Sequence, residues 1–444
     1  MRASPLLLAV ALGLLLPATA LAGRIVSGPM QGPPRAGGAE IWLMAEDARE
    51  AALEYWPQDQ PATTRRSAPQ ALEAVRQQAV TLRLEGLEPG RRYDYRVLLD
   101  GAAAHAQPLP LHAAPAGAEP PLRLLLGSCA HLREDADSGR PFSEGYHIFD
   151  EMAARGADLM LWLGDNHYYR EADTRSPEGM AARWVQVRRH PSLQSLLRAL
   201  PHAAIWDDHD FGPNDSHREF IFKDGALALF RRHWPQPPGG TATTPGIFQK
   251  LSLGDVDLFL LDSRYHRDPL PRAAEGGMYG MAQLAWLKRE LMASRAAFKL
   301  VAGGTQFFND INRFEDWHHY PRERAAFLDW LRAARIDGLL FLSGDRHHTE
   351  LLRHEREGAA PLYELTCSPL TSRIALPRDE QDNPLRVPDT LVVERNWCEI
   401  SLSGAGPRRR LRVSVLNNEG FELWHHDFSR ASLSWPRPAQ AAKP

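Results

Sequence analysis

The chain has 444 residues, 43% of them hydrophobic and 24% charged, which suffices for a large buried core and for more than one domain. Its formal net charge is −3, and the excess of Arg over Lys is a bias of composition with no basic face, so no electrostatic footprint for a nucleic-acid partner is present. Three cysteines cannot all pair with one another.

Residues 1–22 read as a cleavable secretory signal: Arg2, an apolar run from Leu6 to Leu16, Pro17, and the small-residue pattern Ala20-Leu21-Ala22 before Gly23. The mature chain is expected to begin at Gly23 and to be exported, periplasmic or secreted. The apolar run is too short to span a bilayer and no later run approaches that length, so no membrane span is expected. In an oxidising compartment Cys367 and Cys398 are able to pair, leaving Cys129 over; alternatively all three are small buried hydrophobes. A lone exported thiol needs protection, and metal coordination is one way to supply it.

Residues 23–111 read as a small all-β sandwich. Glu40–Met44 and Ala79–Leu84 have strand composition, and Leu87-Glu88-Pro89-Gly90 ahead of the alternating Tyr93, Tyr95 and Val97 resembles the late-strand corner of immunoglobulin and fibronectin type III domains. The stretch Ala102–Pro121 is rich in Ala and Pro; it reads as a connection, with residues 112–121 as the linker and His105 and His112 as connecting residues without chemistry.

Residues 122–430 alternate buried strands with amphipathic helices, as in α/β folds. Leu122–Leu126 leads to Gly127-Ser128-Cys129, and a helical stretch near Tyr146–Ala154 leads to the strand Asp158–Leu163 and then to Gly164-Asp165-Asn166-His167-Tyr168. Helices near Met180–Val187 and Ser192–Leu200 precede Ala203–Trp206, which empties into Asp207-Asp208-His209-Asp210 with Asn214 and Asp215 beyond a Gly212-Pro213 turn. A helix over Ala226–Trp234, a strand Val256–Leu261 ending in Asp262-Ser263-Arg264, a helix marked by Leu284, Leu287 and Leu291, and a strand Lys299–Ala302 follow. The helix Arg322–Arg335 feeds the strand Gly338–Leu342, which ends in Ser343-Gly344-Asp345-Arg346-His347. The C-terminal strands, with Asn417-Asn418-Glu419-Gly420 as a hairpin turn, are expected to form a second sheet layer, and residues 431–444 a frayed tail.

Four strand ends thus share one design: an apolar run stopping at residues able to hold a metal, namely Cys129, Asp165 with Tyr168, Asp207 and Asp208 with Asn214, and Asp345 with His347. One Asp-rich loop alone is commonly a solvated turn, but four strand ends argue for convergence on a site of two or three metal ions. There a carboxylate bridges cations, and water becomes acidic enough to attack at ordinary pH. A thiolate and a phenolate beside carboxylates suit a highly charged transition metal, and Asp, Asn and His suit a second cation such as calcium or magnesium.

The ordered set Gly127-Ser128-Cys129, Leu163-Gly164-Asp165 with Tyr168, Trp206-Asp207-Asp208-His209-Asp210, Leu261-Asp262-Ser263-Arg264, Gln283 to Leu287 and Ser343-Gly344-Asp345-Arg346-His347 resembles the PhoD family of alkaline phosphatases, metal-dependent phosphoesterases. The agreement runs from about Gly28 onward. The resemblance implies a metallophosphoesterase-like α/β sandwich of two sheets flanked by helices, behind the small β-sandwich. It implies iron(III) held by Cys129, Asp165, Tyr168 and Asp345, and calcium held by Asp165, one of Asp207 and Asp208, Asn214 and His347. Asp208 is the preferred member of the pair, because Asp-His then stands where related phosphoesterases have Asn-His. His167 departs from the family's usual apolar residue there, which opens a role as an extra ligand or proton donor.

The expected chemistry is attack of a metal-activated hydroxide on the phosphorus of a small phosphate monoester or diester. His209 is the candidate to protonate the leaving oxygen, with a ligand or structural role as its alternative. Arg264 and Arg346 are the candidates to grip phosphate. Phospholipid head groups, cleaved as by a phospholipase D, are the alternative substrate, and a non-catalytic surface-binding protein is a third reading. A monomer is expected. Trp317-His318-His319 and Trp424-His425-His426 read as loop and hairpin residues, although the first could line a substrate mouth. The absence of a Gly-rich nucleotide loop and of a Gly-x-Ser-x-Gly elbow disfavours nucleotide-driven transfer and a serine hydrolase.

Overall fold

The computed structural model describes residues 23–72, 78–133 and 146–435. The segment read as a signal, residues 1–22, lies outside the described residues, as does the tail from residue 436 onward.

The N-terminal unit is a sandwich of two antiparallel sheets. One comprises β1 (Arg24–Gln31), β2 (Gly38–Glu46) and β6 (Gln78–Glu85). The other is built on β3 (Glu50–Pro57) and β7 (Arg92–Leu99), with the short strands β4 (Arg65–Arg66), β5 (Gln70–Ala71), β8 (Ala102–Ala103) and β9 (Leu109–His112) at its margins. Alternation decides which side chains meet between the sheets: Tyr93, Tyr95 and Val97 are buried against Ile41, Leu43 and Leu82. The Tyr93 hydroxyl accepts from the Glu88 N–H at 3.1 Å, fixing the Leu87–Gly90 corner. The connection is shorter than its composition suggests. β9 pairs with β7, and the Val97 N–H donates to His105 Nε2 at 3.1 Å, so His105 and His112 belong to the sandwich.

Two six-stranded sheets form the larger unit. The first runs β12 (His202–Ile205), β11 (Leu159–Leu163), β10 (Leu122–Gly127), β19 (Asn396–Ser403), β20 (Arg410–Asn417), β21 (Glu422–Ser429). The second runs β13 (Gln249–Leu253), β14 (Val256–Leu260), β15 (Phe298–Ala302), β16 (Leu339–Ser343), β18 (Leu362–Thr366), β17 (Glu350–His354). Strands β10, β11 and β12 are parallel, as are β14, β15, β16 and β18. Parallel strands covered on both faces have to be apolar throughout, which is why they appear as uninterrupted apolar runs. Leu258, Leu300 and Leu340 face the first sheet across the main core. Their neighbours Phe259, Val301 and Phe341 face outward to the helices Met281–Ala293 and Pro321–Ala334.

Two expectations are corrected. The C-terminal strands do not make one added layer: β17 and β18 complete the second sheet, whereas β19 pairs antiparallel with β10 and β20 and β21 extend that first sheet beyond it. The start of the tail is docked, since Leu433 is buried and its carbonyl accepts from the Gly338 N–H at 2.9 Å. The Asn417–Gly420 turn does close the β20–β21 hairpin, with the Asn417 N–H donating to the Phe421 carbonyl at 2.9 Å. Cys367, next after β18, is disulfide-bonded to Cys398 within β19, so the bond ties one sheet to the other and leaves Cys129 as the free, buried thiol.

The sandwich does not hang from the larger unit. Met30, Trp42 and Met44 belong to the same apolar cluster as the main core, and the Trp42 indole N–H donates to the Arg232 carbonyl at 2.9 Å.

Candidate metal centre

β10, β11, β12 and β16 all point their carboxyl ends toward one place, and the backbone there is bent to present ligands. Cys129, Asp165, Asp345 and His347 have φ of 58°, 51°, 65° and 57°, the left-handed region that side chains with a Cβ adopt at a cost on the order of 1 kcal/mol each. They are four of the nine non-glycine residues in this region among the described residues, and these four gather where the two sheets meet. Gly344 lets the two sheets converge: a Cβ at this position would lie 2.6 Å from Ser128 Cβ and 2.7 Å from the Leu163 carbonyl oxygen.

The two oxygens of Asp165 face in different directions. Oδ2 accepts from the Tyr168 hydroxyl at 3.0 Å and lies 3.7 Å from Cys129 Sγ, while Oδ1 accepts from the His209 N–H at 3.3 Å. Donor atoms of Cys129, Asp165 and His347 fall within 4.8 Å of one another, and those of Asp165, Asp208 and His209 form a second such set sharing Asp165. His347 Nε2 stands 3.2 Å from the Tyr168 hydroxyl and 3.3 Å from Ser372 Oγ. The Cys129 sulfur accepts from Ser368 Oγ at 3.1 Å. Above these groups opens a cleft of about 620 Å³ lined by Asp165, Asp208, His209, Asn214, Asp345 and His347 among others. Asp345, which belongs to neither compact set, and the exposed Asn214 also line this cleft.

The adjacent aspartates are placed differently. Asp208 faces the cleft, with Oδ1 accepting from the His209 N–H at 2.9 Å and Oδ2 from the Asp215 N–H at 2.8 Å. Asp207 is fully buried behind it; its Oδ1 accepts from Arg264 Nε at 2.6 Å and from Ser263 Oγ at 3.0 Å, and Oδ2 has no partner. The run does not continue as a loop. Asp207 caps a single helical turn over Asp208–Phe211, and the Asp210 carboxylate accepts from the Asp207 N–H at 3.0 Å.

Arg264 is not among the residues lining the cleft. Its guanidinium has no exposed surface and is shared by Asp207 and Glu315, so it braces the site from behind. Arg346 does line the cleft, paired with Glu380 and packed 5.1 Å from the Phe314 ring centre. His167 faces away from the cleft into a cage of Tyr169, Trp184 and Asp210, and burial holds its pKa below the usual value. His318 lies against Asp316 in a short helical turn, outside the cleft lining. Glu315 and Ser372 are participants that no strand-end pattern marks, because each sits in an irregular loop, whereas Ser368 stands two residues past the end of β18, where a serine does not read as a ligand.

Electrostatically the cluster is incomplete as it stands. Burial, followed by the charges of Asp208 and Asp207, drives the Asp165 carboxyl far above the ordinary range. Burial and then Asp207 do the same to Asp345. Burial and the neighbouring carboxylates also push up the Cys129 thiol and, with Cys129 itself, the Tyr168 phenol. Asp207 is raised to about 6 by burial, against the opposing pull of Arg264. Asp208 goes the other way: burial is outweighed by His209, Arg264 and the Asp215 N–H. Groups so arranged become anionic together only around added positive charge, and thiol, phenol, carboxylate and imidazole form a donor set that suits transition-metal and hard divalent cations. The residues fit metal ions.

A family model described as PhoD-like phosphatase matches residues 124–396, more than half of the chain. The chain belongs to this family. It is 22% identical over 319 residues to alkaline phosphatase D of Bacillus subtilis (strain 168), covering 61% of this chain and 53% of that protein, so the match spans about half of the relative's length. The solved structure of PhoD superposes with a TM-score of 0.71 at 17% identity, covering 90% of this chain and 88% of that one. Purple acid phosphatase PPD1 from yellow lupin (Lupinus luteus) superposes with a TM-score of 0.69 at 12% identity, covering 95% and 78%. The fold of this PhoD-like chain is that of metallophosphoesterases, and among its described residues no helix is long and apolar enough to cross a membrane.

Proposed function

We propose that the chain is an exported, metal-dependent phosphoesterase that hydrolyses small phosphate monoesters or diesters. The observation that carries this reading is the divided Asp165 carboxylate, one oxygen turned to Cys129 and Tyr168 and the other to Asp208 and His209, the arrangement a bridging ligand requires. Cys129, Asp165, Tyr168 and Asp345 would hold iron(III); Asp165, Asp208, Asn214 and His347 would hold calcium. Bound there, the cations supply Lewis acidity toward phosphoryl oxygens and lower the pKa of water.

The chain's own residues account for the rest. His209 lines the cleft with its ring 4.2 Å from that of Tyr168, in a position to deliver a proton to the leaving ester oxygen. Arg346 brings positive charge to the cleft wall, where Glu380 limits its movement. Arg264 is assigned to holding Asp207, and through it the turn that carries Asp208, instead of to gripping phosphate.

The test pairs metal analysis with turnover. The purified chain is expected to contain a transition metal, and Cys129→Ser to lose it. Asp208→Ala and Asp345→Ala are each expected to abolish hydrolysis of p-nitrophenyl phosphate and bis-p-nitrophenyl phosphate. Full metal occupancy in the serine variant would remove the thiolate from the site, and retained turnover in the alanine variants would remove those carboxylates.

A further inference from the structure

Charged ligands occupy the floor of the cleft, but its mouth is different. Phe314, Leu376 and Leu270 line it and are 54%, 59% and 42% exposed. Three of the eleven exposed large apolar side chains among the described residues thus line this one mouth. Single exposed apolar residues need no explanation, whereas a cluster at the entrance to a polar site marks a ligand surface.

The apolar side chains are tied to the site by their neighbours. Phe314 precedes Glu315, which holds Arg264, and its ring packs against Arg346, the residue between Asp345 and His347. Leu376 follows Ala375, whose N–H donates to the His347 carbonyl at 3.0 Å. Phe314 and Leu376 therefore stand on the cleft wall next to Asp345 and His347, where an ester substituent rising from those residues would meet them. The charged groups of the mouth are Arg313, paired with Asp379, and the exposed Arg373 and Arg378.

We infer that Phe314 and Leu376 form an ester-group subsite that takes an alkyl or aryl substituent of the phosphate ester. This rests on the phosphoesterase reading above and names the class of ester it favours: one with an apolar chain or ring next to phosphorus, over methyl, glyceryl or sugar esters. The residues specify substrate by contact and take no part in proton transfer.

The test uses the full, metal-loaded chain and a series of methyl, butyl and hexyl p-nitrophenyl phosphodiesters below their aggregation concentrations. The leaving group is constant: water oxygen bonds to phosphorus, nitrophenolate departs with the electron pair of its P–O bond, and the water protons pass to solvent. Each methylene that enters the subsite is expected to raise kcat/KM on the order of threefold. Phe314→Ala and Leu376→Ala are expected to flatten the hexyl-to-methyl ratio. Met292→Ala, a 68% exposed apolar residue outside the cleft lining, is expected to keep it. A flat wild-type series, or an unchanged ratio in both mouth variants, overturns the subsite while leaving the phosphoesterase reading in place. Hydrolysis of none of the esters overturns both.

Discussion

Arg264 Nε donates to Asp207 Oδ1 at 2.6 Å with both side chains fully buried, and the same guanidinium pairs with Glu315. Asp208 stands farther from the same cation, at 3.9 Å, and is the member of the adjacent pair that is open to the cleft. Arg264→Met is expected to strand Asp207, while Glu315 keeps its second partner Arg267, costing about 3–5 kcal/mol in chemical denaturation, because a buried pair broken on one side leaves an uncompensated charge. Arg264→Lys keeps the charge but loses the fork, so an intermediate loss is expected. A methionine variant as stable as the wild type would show that the brace contributes nothing.

How much of this was legible follows from which interactions are local. Leu122–Leu126, Asp158–Leu163 and Gly338–Leu342 announce buried parallel strands because both faces must be apolar, and each ends at a candidate ligand, so the site's frame is readable before any pairing is known. Strand order is not local: β18 and β19 are consecutive in sequence yet lie in opposite sheets, a choice made by their partners β16 and β10. His167 misled for a related reason. Its departure from the family's apolar residue opens a role as an extra ligand or proton donor, but the backbone turns Tyr168 toward Asp165 and His167 toward Trp184. Arg264 was visible as a strand-end residue, while Glu315, which with Asp207 decides its role, belongs to a loop with no apolar lead.

The bond from Cys367 to Cys398 crosses between the sheets directly beneath the site, with the Cys367 carbonyl accepting from Ser128 Oγ at 2.8 Å. Thiol titration of the denatured, unreduced protein is expected to find one thiol, that of Cys129, and titration after reduction to find three. The double variant Cys367→Ser, Cys398→Ser is expected to lose about 2–4 kcal/mol of stability. Three thiols without reduction would contradict the pairing.

His202, at the start of the strand that carries Asp207 and Asp208, is held neutral. Trp162 Nε1 donates to its Nδ1 at 3.0 Å, and its Nε2 faces the Leu196 carbonyl at 3.1 Å. Burial pulls its pKa down to about 3 from the ordinary 6.5. Between these values the unfolded chain binds a proton that the folded chain refuses. The contribution is therefore whole above pH 6.5 and is lost as pH falls toward 3, with a limiting slope of ~1.4 kcal/mol per pH unit. His202→Gln, which cannot titrate, is expected to show a smaller difference in urea midpoint between pH 7.5 and pH 4.5 than the wild type. Equal differences would assign the acid sensitivity elsewhere.

Trp42 makes the sandwich part of the same cooperative unit as the metal site. It is fully buried on β2, and its ring lies 5.5 Å from the Arg188 guanidinium carbon, which also stands 5.5 Å from Trp184 and 3.9 Å from Trp234. The Arg188 carbonyl accepts from Ser27 Oγ at 2.5 Å, and the Gly28 N–H donates to Gln194 Oε1 at 2.9 Å, so helices of the larger unit satisfy polar groups of β1. Trp42→Ala is expected to cost about 3–5 kcal/mol, the sum of lost burial and the cavity left beside Arg188 and His233. The full chain should then melt in one transition, because no plane separates the two units without opening their shared core. A fragment lacking residues 23–121 exposes Trp184, Trp234 and the buried Arg188 cation. It is expected to bind less metal and to be cleaved by protease at temperatures where the full chain resists. A fragment that matches the full chain in melting temperature and metal content would show that the sandwich is an independent appendage.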